Sequence, residues 1–122
     1  MGALKPRIRV EYTDDATIIA FVDERILDQT DIQDLQASIL SVVEQGEHMN
    51  FILDFSNVRF LSSAVLGLLL RISKRVYERD GRLRLCSIDP KIYQIFKITR
   101  LTKIFDIYKD LETATRDLAA ED

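Results

Sequence analysis

One segment limits the folds open to this chain more than any other. The run Phe51-Ile52-Leu53-Asp54-Phe55 is followed by Ser56-Asn57-Val58-Arg59-Phe60-Leu61 and then by Ser62-Ser63-Ala64-Val65-Leu66-Gly67-Leu68-Leu69-Leu70. The first run is apolar almost throughout, the pattern of a strand covered on both faces. The last is an apolar helix opened by two serines, residues that favour the N-cap position. A buried strand that turns directly into a helix needs a sheet to sit in and a helical layer to lie under, which points to an α/β architecture. Any site is expected at the opening of that helix.

The remaining sequence fits one such layer. The chain has 122 residues, within the usual size of a single domain. Its 47% hydrophobic and 30% charged residues are those of a globular protein, not a disordered one. A net charge of -3 offers no general attraction to nucleic acid or to an anionic membrane. The longest apolar run, Ala64 to Leu70, contains a glycine and falls well short of the roughly 18 residues of a spanning helix. Met1 to Arg9 lacks the apolar run of a secretory signal, and the single cysteine, Cys86, has no internal partner, so a cytoplasmic protein is expected.

In chain order, Arg7 to Tyr12 alternates Ile8, Val10 and Tyr12 with charges, as on a half-buried strand. Thr13-Asp14-Asp15 is turn chemistry, and Thr17 to Val22 reads as a more buried strand that completes a hairpin. Asp23 to Gln29 reads as a connection. Thr30-Asp31-Ile32-Gln33 has capping-box spacing, so a helix is expected from Thr30, with Ile32, Leu35, Ile39, Val42 and Val43 as its apolar stripe and Gly46 as its end. After the central strand, the second helix is expected over about Ser63 to Glu78, stopping at Asp80-Gly81; its wide apolar surface implies burial against more than the sheet. Arg82 to Ile88 reads as a strand, and Asp89-Pro90 opens a short helix carrying Ile92, Ile95 and Phe96. Thr99 to Lys103 reads as a loop, Ile104 to Tyr108 as an edge strand and Leu111 to Ala120 as a final helix. With no repeat or linker, residues 1–122 form one expected domain with its core over about 7–119. The fold class is a mixed sheet of four to five strands with about four helices, mainly on one side.

The sequence argues against catalysis and against bound cofactors. A serine nucleophile needs a base, yet the only histidine is His48, in a polar loop, and no G-x-S-x-G elbow surrounds Ser62 or Ser63. Cys86 on an apolar strand reads as a small core residue. The acids Asp23, Glu24 and Asp28 lack the histidine, cysteine or calcium-loop pattern of a metal site, and the four glycines are too scattered for a phosphate loop. For Ser62 and Ser63, capping alone accounts for serine at this place. The same geometry also suits modification, since a phosphoserine adds about -1.5 to -2 charges beside the positive end of the helix dipole.

The stretch Ile52 to Gly67 resembles the signature of STAS domains, the family of bacterial anti-sigma factor antagonists: a hydrophobic strand, then approximately D-x-S-x-V-x-F-[ML]-D-S-[ST]-G-L-G, then a helix. Leu27-Asp28 before the first helix is similar to the family's L-D segment, and Leu101 to Tyr108 is similar to its late L-x-x-[IV]-F-x-[IV]-Y segment. Ser62 stands where the family usually has aspartate, Ala64 where it has Ser or Thr, and Val65 where it has Gly; Arg25 and Ile26 occupy the region of a glycine often found before the L-D segment.

The resemblance implies a non-enzymatic anti-sigma factor antagonist. It would bind an anti-sigma factor with serine kinase activity and regulate transcription indirectly through a partner switch. It places the phosphoacceptor at Ser63, with Asp54, Ser56 and Ser62 supporting the acceptor turn. The partner interface would comprise Asp23, Glu24, Arg25, Leu27, Asp28 and Thr30 together with Ala64, Leu66 and Gly67. No nucleic acid, membrane, metal or cofactor is implied, and the expected state is a monomer or weak dimer. The alternative, which Ser62 favours, is a constitutive, non-phosphorylated interaction or scaffold module.

Overall fold

The computed structural model describes residues 7–46, 49–116 and 118. The expectations for His48 and for a final helix reaching Ala120 lie outside those residues.

The hairpin forms as the alternation predicts. Strand β1 (Ile8–Tyr12) runs antiparallel to β2 (Thr17–Phe21), with Ile8 opposite Phe21 and Tyr12 opposite Thr17. Thr13 closes its turn, its hydroxyl oxygen accepting from the Ala16 amide at 3.0 Å. Two short strands follow within segments that the sequence left as connection and turn: β3 (Arg25–Ile26) and β5 (Phe60–Leu61), which pair in parallel as a separate ribbon. Between them lie helix α1 (Gln29–Gln45) and the central strand β4 (Asn50–Asp54). Helix α2 (Ser63–Glu78), strand β6 (Arg82–Cys86), helix α3 (Pro90–Ile98), a single 3₁₀ turn (Leu101–Lys103), strand β7 (Asp106–Tyr108) and helix α4 (Leu111–Thr115) complete the described chain.

The main sheet has five strands in the order β1-β2-β4-β6-β7, all parallel except β1. Period-two alternation sends Phe51, Leu53 and Phe55 to one face and Ile52 to the other. On the first face Ile39 and Val43 of α1, Leu69 and Ile72 of α2 and Phe96 of α3 bury against Ile19, Leu53 and Leu85. On the second, Ala114 and Leu118 cover Ile18, Ile52 and Cys86. Three helices therefore lie on one side and α4 on the other, so the mainly one-sided arrangement is the observed one. The width of the α2 apolar surface has the expected cause: the helix packs on both the sheet and α1.

Several boundaries differ from expectation for identifiable reasons. The capping box at Thr30 does not form. The N-cap is Asp28, whose carboxylate accepts from the Thr30 amide at 3.2 Å, and Thr30 lies inside the first turn; a carboxylate gains from the helix dipole where a hydroxyl does not. The strand expected to run to Ile88 stops at Cys86, because Ser87 takes a φ of 59° that breaks the extended backbone. The last strand starts at Asp106 and not Ile104, since the Ile104 and Phe105 amides both bond the Leu101 carbonyl at 3.0 Å instead of a ladder.

Candidate functional site

The opening of α2 is held by a chain of backbone bonds that starts at the end of β4. The Phe55 amide bonds the Cys86 carbonyl at 3.0 Å, and the Asp54 carboxylate accepts from the Ser56 amide at 2.9 Å, which turns the chain out of the sheet. The Val58 amide returns to the Phe55 carbonyl at 2.9 Å, and Val58 is fully buried beneath the exposed Ser56 and Asn57. The Asn57 side-chain amide donates to the Phe21 carbonyl at 3.4 Å. The chain then pairs with the loop that precedes α1. The Arg59 and Phe60 amides both donate to the Glu24 carbonyl, at 2.8 and 3.1 Å, and the Ser62 amide donates to the Ile26 carbonyl at 3.0 Å.

This pairing sets part of the predicted interface, Arg25 and Leu27, beside the chain that leads into α2. Arg25 and Leu27 are exposed beside Phe60, and the Arg25 guanidinium lies 4.6 Å over the Phe60 ring. Ser63 is the first residue of α2 and is exposed, as is Ala64. Gly67 is half-buried one turn further on, and Leu66 is almost wholly buried, so its side chain packs into the core more than it faces outward. Thr30 is exposed in the first turn of α1. Asp23 differs from a free loop charge: it pairs with Arg7 at 2.9 Å, and Arg7 also reaches Asp31 at 2.7 Å. The Asp23 hydrogen bond and the charges of Asp23 and Asp31 raise the Arg7 pKa. The sequence reading did not single out Arg7, whose partners are distant in the chain.

Ser62 is the N-cap of α2, with φ -87° and ψ 163°, but its hydroxyl makes no cap bond and is buried without a partner among the described residues. The first turn contains no acidic residue. The Ser63 hydroxyl is also without a hydrogen bond among the described residues, so nothing there activates it as a nucleophile. Behind this opening, Cys86 is a buried free thiol whose pKa is pushed up to about 12 by burial and then by the charge of Asp54. It stays protonated at neutral pH and acts as a packing residue.

A cleft of about 260 Å³ continues from the opening, lined by Arg25, Leu27, Arg59, Phe60, Lys91 and Ile95 among others. Sequence reasoning missed the contribution of α3. Its signal is Ile95, an apolar residue off the Ile92–Phe96 stripe and 39% exposed. No described helix is long and apolar enough to cross a membrane.

Fold and site together define a small α/β domain with a candidate surface at a serine-led helix opening. The family profile for the STAS domain matches residues 7–114, and the chain belongs to that family. BtrV of Bordetella bronchiseptica, provisionally assigned as an anti-sigma factor antagonist, is 27% identical over 82% of this chain and 84% of its own. The structure of an anti-sigma-factor antagonist (STAS) domain protein from Planctomyces limnophilus superposes with a TM-score of 0.82 at 27% identity, covering 92% of this chain and 97% of that one. The phosphorylated form of the Bacillus cell fate determinant SpoIIAA shares the fold, with a TM-score of 0.68 at 20% identity over 90% of this chain and 96% of that one.

Proposed function

We propose that this protein is a cytoplasmic anti-sigma factor antagonist, a single STAS domain without catalytic activity or cofactor. It binds an anti-sigma factor that is also a serine kinase and is released when that kinase phosphorylates Ser63. The observation that carries the reading is the exposure of Ser63 at the first position of a helix whose opening is neither side-chain capped nor acidic. A phosphate there meets free amides and the positive end of the dipole, so it can be added without unfolding the domain. It changes the charge of a surface that includes Ala64, Gly67 and the strapped Asp23–Asp28 loop, and a partner complementary to the neutral serine is then rejected. Asp54 and Ser56 support this surface by fixing the exit from β4.

The Ser62 hydroxyl favours a second reading, a constitutive docking module, because the residue before Ser63 offers no carboxylate beside the acceptor. Incubation of the intact protein with its cognate anti-sigma factor and ATP separates the two. The switch predicts one phosphate, mapped to Ser63 by phosphopeptide mass spectrometry, a Kd at least about tenfold weaker for Ser63→Asp, and retained binding by Ser63→Ala. Absence of phosphate, or equally tight binding by Ser63→Asp, would replace the switch with the constitutive module.

A further inference from the structure

We propose that the cleft between the β3–β5 ribbon and α3 receives an acidic amphipathic helix of the partner protein. This names the chemistry of the partner in the switch above and rests on that reading. The apolar part of the cleft is open: among its lining residues Leu27 is 47% exposed, Phe60 45% and Ile95 39%, and Ile98, beyond the lining on α3, is 80% exposed. Lys91, Ile95 and Ile98 follow at steps of four and three along α3 and so share one face of it, while Ile92 and Phe96 turn the other face into the core. A contiguous apolar surface of this kind marks a binding site more often than scattered exposed residues do.

Charge selects the occupant. The whole chain carries a net charge of -3, yet Arg25, Arg59 and Lys91 line this cleft. Among the described residues Asp89 is the carboxylate that pairs with a cation of this cleft, 3.9 Å from Arg59, and it already accepts the Lys91 amide at 2.9 Å as the cap of α3. Arg25 and Lys91 have no ion pair among the described residues, and Arg25 is held at the rim by its contact with the Phe60 ring. An apolar floor with a cationic rim complements a helix whose leucine-like stripe is flanked by Asp and Glu. Nucleic acid fits the floor poorly, because it is aliphatic except for Phe60, one face of whose ring already carries Arg25, so successive bases have no run of aromatic rings to stack on. β5 leads straight into Ser62 and Ser63, so an acidic helix seated here ends near the acceptor serine. A phosphate on Ser63 then repels the occupant directly, which gives the switch its sign.

The test measures the Kd of the purified cognate anti-sigma factor for the full-length wild type and for Arg59→Glu, Lys91→Glu, Ile98→Ser and, on the exposed face of α2, Lys74→Glu. Circular dichroism checks that each variant is folded; Ile98→Ser serves where a charge reversal disturbs the local structure. The expected result is at least a tenfold loss for each charge reversal in the cleft, a several-fold loss for Ile98→Ser, no change for Lys74→Glu and weaker wild-type binding as salt is raised. Wild-type affinity in the cleft variants, with Ser63 still phosphorylated, overturns the cleft and leaves the switch standing. Failure of wild type to bind the anti-sigma factor overturns both. Flotation with phosphatidylglycerol vesicles that depends on Lys91 overturns the protein occupant in favour of a lipid surface.

Discussion

Asp28, Asp89 and Asp110 each cap a helix by accepting a first-turn amide, at 3.2, 2.9 and 2.8 Å respectively, whereas Ser62 at α2 leaves its hydroxyl unbonded. Removing a working cap costs about 1 kcal/mol, while removing a buried hydroxyl that lacks a partner is close to neutral. Urea unfolding should therefore show Asp89→Ala destabilised by about 1 kcal/mol and Ser62→Ala within about 0.5 kcal/mol of wild type. A loss at Ser62→Ala equal to that at Asp89→Ala would mean that the Ser62 hydroxyl does cap α2 in solution. The serine pair was legible at this scale because serine before an apolar helical run has a clear local meaning. The choice of Asp28 over Thr30 was not, since both are good caps two residues apart and helix starts shift by a residue or two.

The elements that build the site were legible where they are long. Helix α2 shows its width in sequence because sixteen residues give its apolar positions room to repeat. Strands β3 and β5 have two residues each, too few for alternation to register, and they exist through pairing between segments more than thirty residues apart. The loop-to-serine surface was therefore expected from resemblance, while the ribbon that makes it was not. The end of α2 gives a further test. A Cβ added to Gly81 would meet the Met49 carbonyl oxygen at 2.7 Å and Val76 Cγ1 at 3.0 Å, and that carbonyl also accepts from the Arg82 amide at 2.8 Å. At Gly67 an added Cβ meets only the far end of Arg71, at 3.5 Å. Chemical denaturation should find Gly81→Ala destabilised by about 1–3 kcal/mol through overpacking, and Gly67→Ala stabilised by up to about 1 kcal/mol through helix propensity. A neutral Gly81→Ala would show that the β6 entrance relaxes freely.

At the scale of the whole molecule, alternation such as Ile18–Ile19 and Ile52–Leu53 shows that both sheet faces are covered, but it does not say which helix covers which. Only the three-dimensional path puts α4 alone on the second face, where the buried Arg84 donates to the Ala114 carbonyl at 2.8 Å and lies 5.0 Å from the Tyr108 ring center. The layers are also joined electrostatically across the surface. Glu44 of α1 bonds Arg75 and Arg79 of α2, and its pKa is lowered, first by the Arg75 hydrogen bond and then by the two positive charges. The Asp110 pKa is lowered by the Thr113 hydroxyl and amide at the start of α4. Both carboxylates thus hold protons less readily folded than unfolded, so unfolding takes up protons in acid. Their contribution is complete above the unfolded values of about 4 and is lost as pH falls through the lower folded values. The melting temperature of Glu44→Gln should lie below that of wild type at pH 7, and the gap should close as the pH falls below the unfolded value of about 4 and then through the lower folded value, where Glu44 becomes protonated in both states. High salt at pH 7 should narrow the same gap, because the bridge is exposed and screened. A gap that keeps its size in acid would mean that the loss in Glu44→Gln does not come from the ion pairs of Glu44 with Arg75 and Arg79.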